Sequence, residues 1–268
     1  MKKTILVLSI CAPFLTACAP SEEQQATNIL EHAQTLVNQG QWRQARITLD
    51  SLHTTFPKQV TQRRQAKALQ DSITYLEALS TIAYIDTLLP PLIEQADKLI
   101  KLFKYEKKQQ YEDYGKYVHH LLTTNSNASR NFIQSYVRDN RETIVKSYYY
   151  GSNEVNQQSI TLSAEGESST FRGNNHHFQT DAHHEIMTID NDNALALLNF
   201  VNTHQHARIR VEGMGNKAHK NWVYYLNDKE KQALSDTYQL GFLMKDINQL
   251  EKMQRVANAQ INHYKSRK

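Results

Sequence analysis

Apolar residues fall at helical spacing through the first hundred residues. Ile29, Leu30, Ala33, Leu36 and Val37 recur at intervals of three and four before a break at Gln39 and Gly40. A second run, Trp42, Ala45, Leu49 and Leu52, ends at Pro57, so two helices joined by a short turn are expected. A third stripe follows in Ala66, Leu69, Ile73, Leu76, Leu79, Ala83 and Leu88, and Pro90-Pro91 is expected to stop it. Pro91 suits the first position of a further helix, with Leu92, Ala96, Leu99 and Phe103 and then Tyr111, Tyr114, Val118 and Leu121 on one side. Residues 104–110 interrupt this stripe with polar side chains, and residues 123–129, rich in Thr, Asn and Ser, read as a linker.

The period then changes from about 3.6 to 2. Residues 143–150 are β-branched and aromatic, 159–164 and 185–189 alternate, and glycines appear at 151, 166 and 173, all of which predict short strands. A short helix is expected over 194–201, followed by a hairpin from 207–211 to 221–226 that turns around Gly213 and Gly215. Asn227 or Asp228, with Glu230 three or two positions on, predicts the start of a last helix. Its stripe is Leu240, Leu243, Ile247, Leu250, Ala257, Ile261 and Tyr264, with Gln254 in the one polar seam position. Such a stripe needs a partner, either a second copy of the chain or, most economically, the helix beginning at Pro91. The expected class is therefore α+β: a helical region over 26–123 with a coiled-coil-like stalk, an inserted β-rich domain over 130–226, and a long C-terminal helix over 227–268.

The first residues carry a different signal. Lys2 and Lys3 precede an apolar run from Ile5 to Leu15 that is too short to span a bilayer, which is the layout of a secretory signal over 1–17. Leu15-Thr16-Ala17-Cys18 resembles the lipobox of bacterial lipoproteins. That resemblance implies cleavage before Cys18, covalent diacylglyceryl and acyl (palmitate-type) modification of that residue, and tethering to the membrane. Residues 18–25 are then the lipidated start and a linker. Ala19, in place of the aspartate that retains some lipoproteins in the inner membrane, implies the outer membrane, facing the periplasm or the cell surface. Glu22 and Glu23 loosely resemble a surface-export tag and read equally as the start of a solvated linker. Gly40-Gln41-Trp42, Ala45 and Pro57 resemble the second half of a tetratricopeptide (TPR) repeat, in which a small Ala lets helices approach while Trp42, Leu49 and Leu52 fill the groove.

Composition narrows the chemistry. Removal of 1–17 leaves roughly 250 residues, enough for one large or two modest domains. The formal charge is only +4, two of which leave with Lys2 and Lys3, so no nucleic-acid partner is expected. The two cysteines are Cys11, in the signal, and Cys18, which leaves the mature chain without a thiol for a disulfide or a nucleophile. His176, His177, His183, His184, His204, His206 and His219 are seven of twelve histidines, near Asp181, Glu185, Asp190 and Asp192. His176, His177, His183 and His184 are the candidate ligands for zinc, copper or nickel, although Thr188 stands where a metalloprotease motif beginning at His184-Glu185 needs histidine. Solvated or hydrogen-bonded histidines at strand ends are the competing reading. Tyr148, Tyr149 and Tyr150 with Trp222, Tyr224 and Tyr225 form an aromatic cluster, of which strand alternation sends half inward and leaves the rest for stacking on sugars or a partner. No Gly-x-Ser-x-Gly elbow, Ser-x-x-Lys dyad or phosphate-binding glycine loop occurs. The expected function is a non-enzymatic, lipid-anchored scaffold or binding module for partner proteins, with Trp42 as a partner-binding candidate and no cofactor beyond the lipid. The alternative is a metal- or ligand-binding lipoprotein using the histidine-rich β domain.

Overall fold

The computed structural model describes residues 20–107, 113–122, 129–216 and 221–267. The lipobox with Cys18, Tyr111 of the expected helical stripe and His219 lie outside them. The described chain is α+β, with five helices and ten strands in two antiparallel sheets. It divides into two compact units, Met1–Thr81 with Ala257–Lys268, and Ile82–Val256.

In the first unit, helix α1 (Glu22–Asn38) opens with the Ser21 hydroxyl accepting the Gln24 N–H at 3.2 Å, and Glu22 and Glu23 sit in the first turn, where negative charge favours the helix dipole. Residues 22–25, expected as linker, are therefore helical. The turn at Gly40 is a Schellman ending: Gly40 adopts φ +73°, its N–H donates to Val37 O, and Gln41 N–H donates to Leu36 O. Helix α2 (Trp42–Thr55) then packs Ala45, Leu49 and Leu52 against Ala33, Leu36, Val37 and, from helix α3 (Val60–Ile100), Ala66 and Ile73. Arg46 adds an ion pair to Glu77 at 2.7 Å. The last residues of the chain complete this unit, with Tyr264 stacked on Tyr75 at 4.5 Å and Arg267 reaching Asp71.

Pro90 and Pro91 do not stop α3, which continues to Ile100. Both prolines are exposed, as are Asp86 and Thr87, the residues whose carbonyls lose their helical donors, so water can satisfy them. By length and composition α3 is the one helix among the described residues able to cross a membrane, with a mean hydropathy of 1.2 over its most apolar window.

The second unit corrects the expected extent of the helical region. Instead of a helix through Val118 and Leu121, residues 103–119 supply strands β1 (Phe103–Glu106) and β2 (Lys116–His119), with Phe103 opposite His119. Further strands are β3 (Phe132–Arg138), β4 (Thr143–Gly151), β5 (Gln157–Ala164), β6 (Glu167–Arg172), β7 (Asn174–Gln179) and β8 (His183–Asp190). Helix α4 (Asn191–Thr203) precedes the hairpin of β9 (Arg210–Gly215) and β10 (Asn221–Tyr225), in which Gly213 and Gly215, expected at the turn, lie within β9 instead, Gly213 paired with Trp222. The sheets have the orders β1-β2-β3-β4-β8-β7 and β10-β9-β5-β6. Between β6 and β7 the chain changes sheets at Gly173, where a Cβ would lie 2.2 Å from Thr188 O.

The core of this unit gathers one face of each sheet. Ile133, Val145, Tyr149, Met187 and Ile189 from the six-stranded sheet meet Ile160, Leu162, Val211 and Trp222 from the other, sealed by Leu197, Leu198 and Val201 of α4. Helix α5 (Asp228–Lys265) starts in a reciprocal capping box: Asn227 Oδ1 accepts the Glu230 N–H at 3.0 Å while Glu230 Oε2 accepts the Asn227 N–H at 2.9 Å. Its Leu240 and Ile247 pack with Leu92, Ala96 and Leu99, so the seam read from the sequence exists within this unit.

Candidate functional site

Strand alternation decides what the six-stranded sheet offers to solvent. With Tyr149, Met187 and Ile133 turned to the core, Phe132, Tyr148, Tyr150, His184, Ile186 and Phe178 lie on the opposite face. There they line a solvent-open cleft of about 500 Å³, closed at its rim by Ser129, Arg130, Thr180 and Asp181. Phe132 and Tyr148 stack across β3 and β4 with centroids 4.3 Å apart and planes 7° from parallel. Phe178 and His184 do the same across β7 and β8 at 4.7 Å and 4°, and Tyr150 meets His184 edge-on at 5.1 Å. Phe178, on an edge strand with one ring face covered by His184, is 40% exposed.

The polar groups are few and connected. Thr180 Oγ1 donates to Asp181 Oδ1 at 2.7 Å and stands 3.0 Å from His184 Nε2. A hydroxyl has one proton, so with that proton on Asp181 the His184 Nε2–H is the donor to Thr180. The Thr180 hydroxyl, followed by backbone N–H donors, holds the Asp181 carboxyl below the usual carboxylate range. Across the cleft the Arg130 guanidinium lies 6.0 Å from the Phe132 ring centre and 3.0 Å from Glu230 Oε1. Burial pushes the Glu230 carboxyl up, against the pull of the Asn227 N–H and Arg130.

Beneath the cleft, Glu185 fixes strand β8. Its carboxylate is fully buried and accepts Val155 N–H and Asn156 N–H at 2.7 Å each, Gln157 N–H at 2.5 Å and Asn175 Nδ2–H at 2.9 Å. Three successive backbone N–H groups with Asn156 at φ +54° form an anion nest, filled here by the protein's own side chain. The nest lies where the chain leaves β4 for β5, so one residue ties both sheets together directly under His184 and Ile186.

The four candidate metal ligands are not brought together. His176 and His184 belong to the cleft face of the sheet and His177 and His183 to the other, because adjacent residues of a strand point to opposite sides. His177 Nε2 approaches His183 Nδ1 at 3.0 Å, and His184 is occupied with Phe178 and Thr180. His204 is buried, with Nδ1 donating to Phe200 O at 2.9 Å. Among the described residues no group of three or more His, Cys, Asp or Glu side chains is placed to hold a metal ion. Trp42 packs on the first unit's own core, with its buried Nε1 unpartnered. Of the aromatic cluster, Tyr149, Trp222 and Tyr224 belong to the core, Tyr225 lies outward under the Arg208 guanidinium at 3.8 Å, and Tyr148 and Tyr150 line the cleft. Phe132, Phe178, Thr180 and Arg130 are cleft residues the sequence reading missed, whereas Asp181 was named there, beside the histidines. The alternation of Phe132, Gln134 and Tyr136 against Ile133, Ser135 and Val137 was the signal for β3. No protein-family model, curated protein or solved structure matches the chain.

Proposed function

We propose that this protein is a non-enzymatic binding module of the bacterial cell envelope, held at the outer membrane by lipid on Cys18 and engaging its ligand through the aromatic cleft of the second unit. The observation that carries the binding role is the cleft itself: the partly exposed rings of Tyr148, Tyr150 and Phe178 on one face of a sheet, with Phe132 buried against Tyr148 and a short polar chain at the rim. The arrangement positions a ligand rather than activating a nucleophile. The Thr180 hydroxyl gives its proton to an exposed carboxylate, and the second carboxylate nearby, Glu185, is turned to the core and saturated with donors. A binding role centred on the β domain also accounts for Trp42 serving its own unit's core. The anchoring role rests on the lipobox-like residues Leu15-Thr16-Ala17-Cys18.

Two measurements test this reading. Fractionation of cells making the Cys18→Ser chain should find it released from membranes, and persistent membrane flotation removes the anchor. For the cleft, titration of solubilised envelope extract into the Cys18→Ser chain should broaden the aromatic resonances of Tyr148, Tyr150, Phe178 and His184, and unchanged spectra remove the binding role.

A further inference from the structure

We infer that the cleft ligand is a neutral glycan, a short run of linked pyranose rings, with Phe178 and Tyr150 packing against sugar C–H faces and Asp181, Thr180 and His184 taking the hydroxyls. This inference rests on the binding role proposed above and names the chemistry of that site.

Three features select this class. First, the central strands of the floor have no main-chain groups to spare, and only the outer edge of β7, beyond Phe178, is left unpaired among the described strands of this floor. Strand β4 is paired with β3 and β8, and β8 with β4 and β7, so their N–H and C=O groups are spent in the ladders. A peptide lying across this face would leave its own backbone unpaired where it lost water, at about 1–3 kcal/mol per group. A sugar has no such backbone, and its hydroxyls need only side chains. Second, the charges suit a neutral ligand. Among the described residues Arg130 is the one cation lining the cleft and already faces Glu230 at 3.0 Å, while Asp181 at the other end is an anion, so these residues offer no surplus positive charge for phosphate or a nucleic-acid strand. Third, the surfaces match. A pyranose presents an apolar C–H face and an equatorial belt of hydroxyls, which calls for ring surface on one side and a fixed acceptor on the other. Phe178 is 40% exposed, and the Asp181 carboxylate, held by Thr180, is exposed to solvent, where it can accept from a sugar hydroxyl. A volume of about 500 Å³ lies within the range of small-molecule sites and accommodates a di- to trisaccharide.

The test uses the full chain with Cys18→Ser and three neutral probes: cellotetraose, maltotetraose and chitotetraose, each titrated to about 10 mM with aromatic resonances as readout. At least one should shift Tyr150, Phe178 and His184 saturably. Phe178→Ala should weaken that binding by about tenfold or more and Asp181→Asn by about threefold to tenfold. Both side chains are exposed, so thermal melts of the two variants should match the parent. Shifts confined elsewhere, or insensitive to both variants, overturn the glycan assignment. A parallel titration uses a tryptophan-containing hexapeptide and tetramethylammonium. If either occupies the cleft while all three sugars are silent, the glycan inference fails and the binding role stands. Silence toward every probe overturns both.

Discussion

Replacing Glu185 should uncouple the two sheets of the second unit. The side chain is fully buried, and among the described residues no cation faces it, so its charge is held by four N–H donors alone. Hydrogen bonds to a charged group are worth about 1.5–3 kcal/mol each in mutational series, but four on one carboxylate share a desolvation cost and do not add. Glu185→Ala leaves the 155–157 amides without their acceptor inside the fold, and about 3–5 kcal/mol is expected, the usual range for breaking a buried charged network. For a unit of this size that corresponds to a fall in melting temperature of about 10 °C. Asn175→Ala removes one of the four donors and should cost about 1 kcal/mol. Urea and thermal unfolding at pH 7 measure both, and amide hydrogen exchange at Val155, Asn156 and Gln157 localises the effect. A Glu185→Ala protein that melts within about 2 °C of the parent, with those three amides still protected, would refute the latch.

Two further predictions concern the same unit. His119 is buried, with Nε2 3.0 Å from Asp236 Oδ2 and Nδ1 accepting the Leu121 N–H, and burial lowers its pKa despite the carboxylate. The unfolded chain therefore takes up a proton first as pH falls below the ordinary value of 6.5, and stability is lost between there and the lower folded value. Urea midpoints at pH 7.5 and 5.5 should show a smaller difference for His119→Gln than for the parent, and equal differences would refute the assignment. Arg141 holds φ +72° in the β3–β4 turn, a seat suited to glycine, and its guanidinium grips Glu251 through two hydrogen bonds. Arg141→Gly should be more stable than Arg141→Ala by about 1 kcal/mol, because both lose the pair and only glycine relieves the left-handed backbone. The Arg141 bond holds the Glu251 carboxyl low, so the parent's advantage over Arg141→Gly should shrink as pH falls below 4.5, the ordinary carboxyl value. A gap independent of pH would show that the pair contributes nothing.

Local rules were legible where one residue decides the backbone. Gly40 ended α1, Pro57 followed α2, and Asn227 with Glu230 started α5, each through a hydrogen-bond pattern contained within a few residues. Strands β1 and β2 were not legible, because Phe103 and Val118 satisfy a helical stripe as well as a pleat, and only pairing of Phe103 with His119 chooses between them. The prolines misled for a related reason: exposure of their neighbours made the lost helical bonds tolerable, and exposure is a property of the fold. The cleft needed four strands in register: Phe178 and His184 share the β7–β8 hairpin, and only the β4–β8 ladder brings them beside Tyr148 and Phe132 of earlier segments. The histidine pairs were decipherable in principle, since any two adjacent residues of a strand must part company.

The first unit is made from two separated stretches of chain, and this bears on the order in which the protein can be completed. Ser72 and Tyr75 must wait for Tyr264, and Asp71 for Arg267. At ~5–20 residues per second, synthesis of the intervening second unit takes about 10–35 s. During that interval the earlier helices have their hairpin but not their final partner, whereas residues 82–256 emerge as one uninterrupted piece. A nascent chain stopped just short of Ala257 would therefore hold the whole second unit and only part of the first. Surveillance of this protein in the cell would then turn on the exposed flank of the 60–81 helix segment, a temporary handle for chaperones or proteases that disappears only when the last dozen residues arrive.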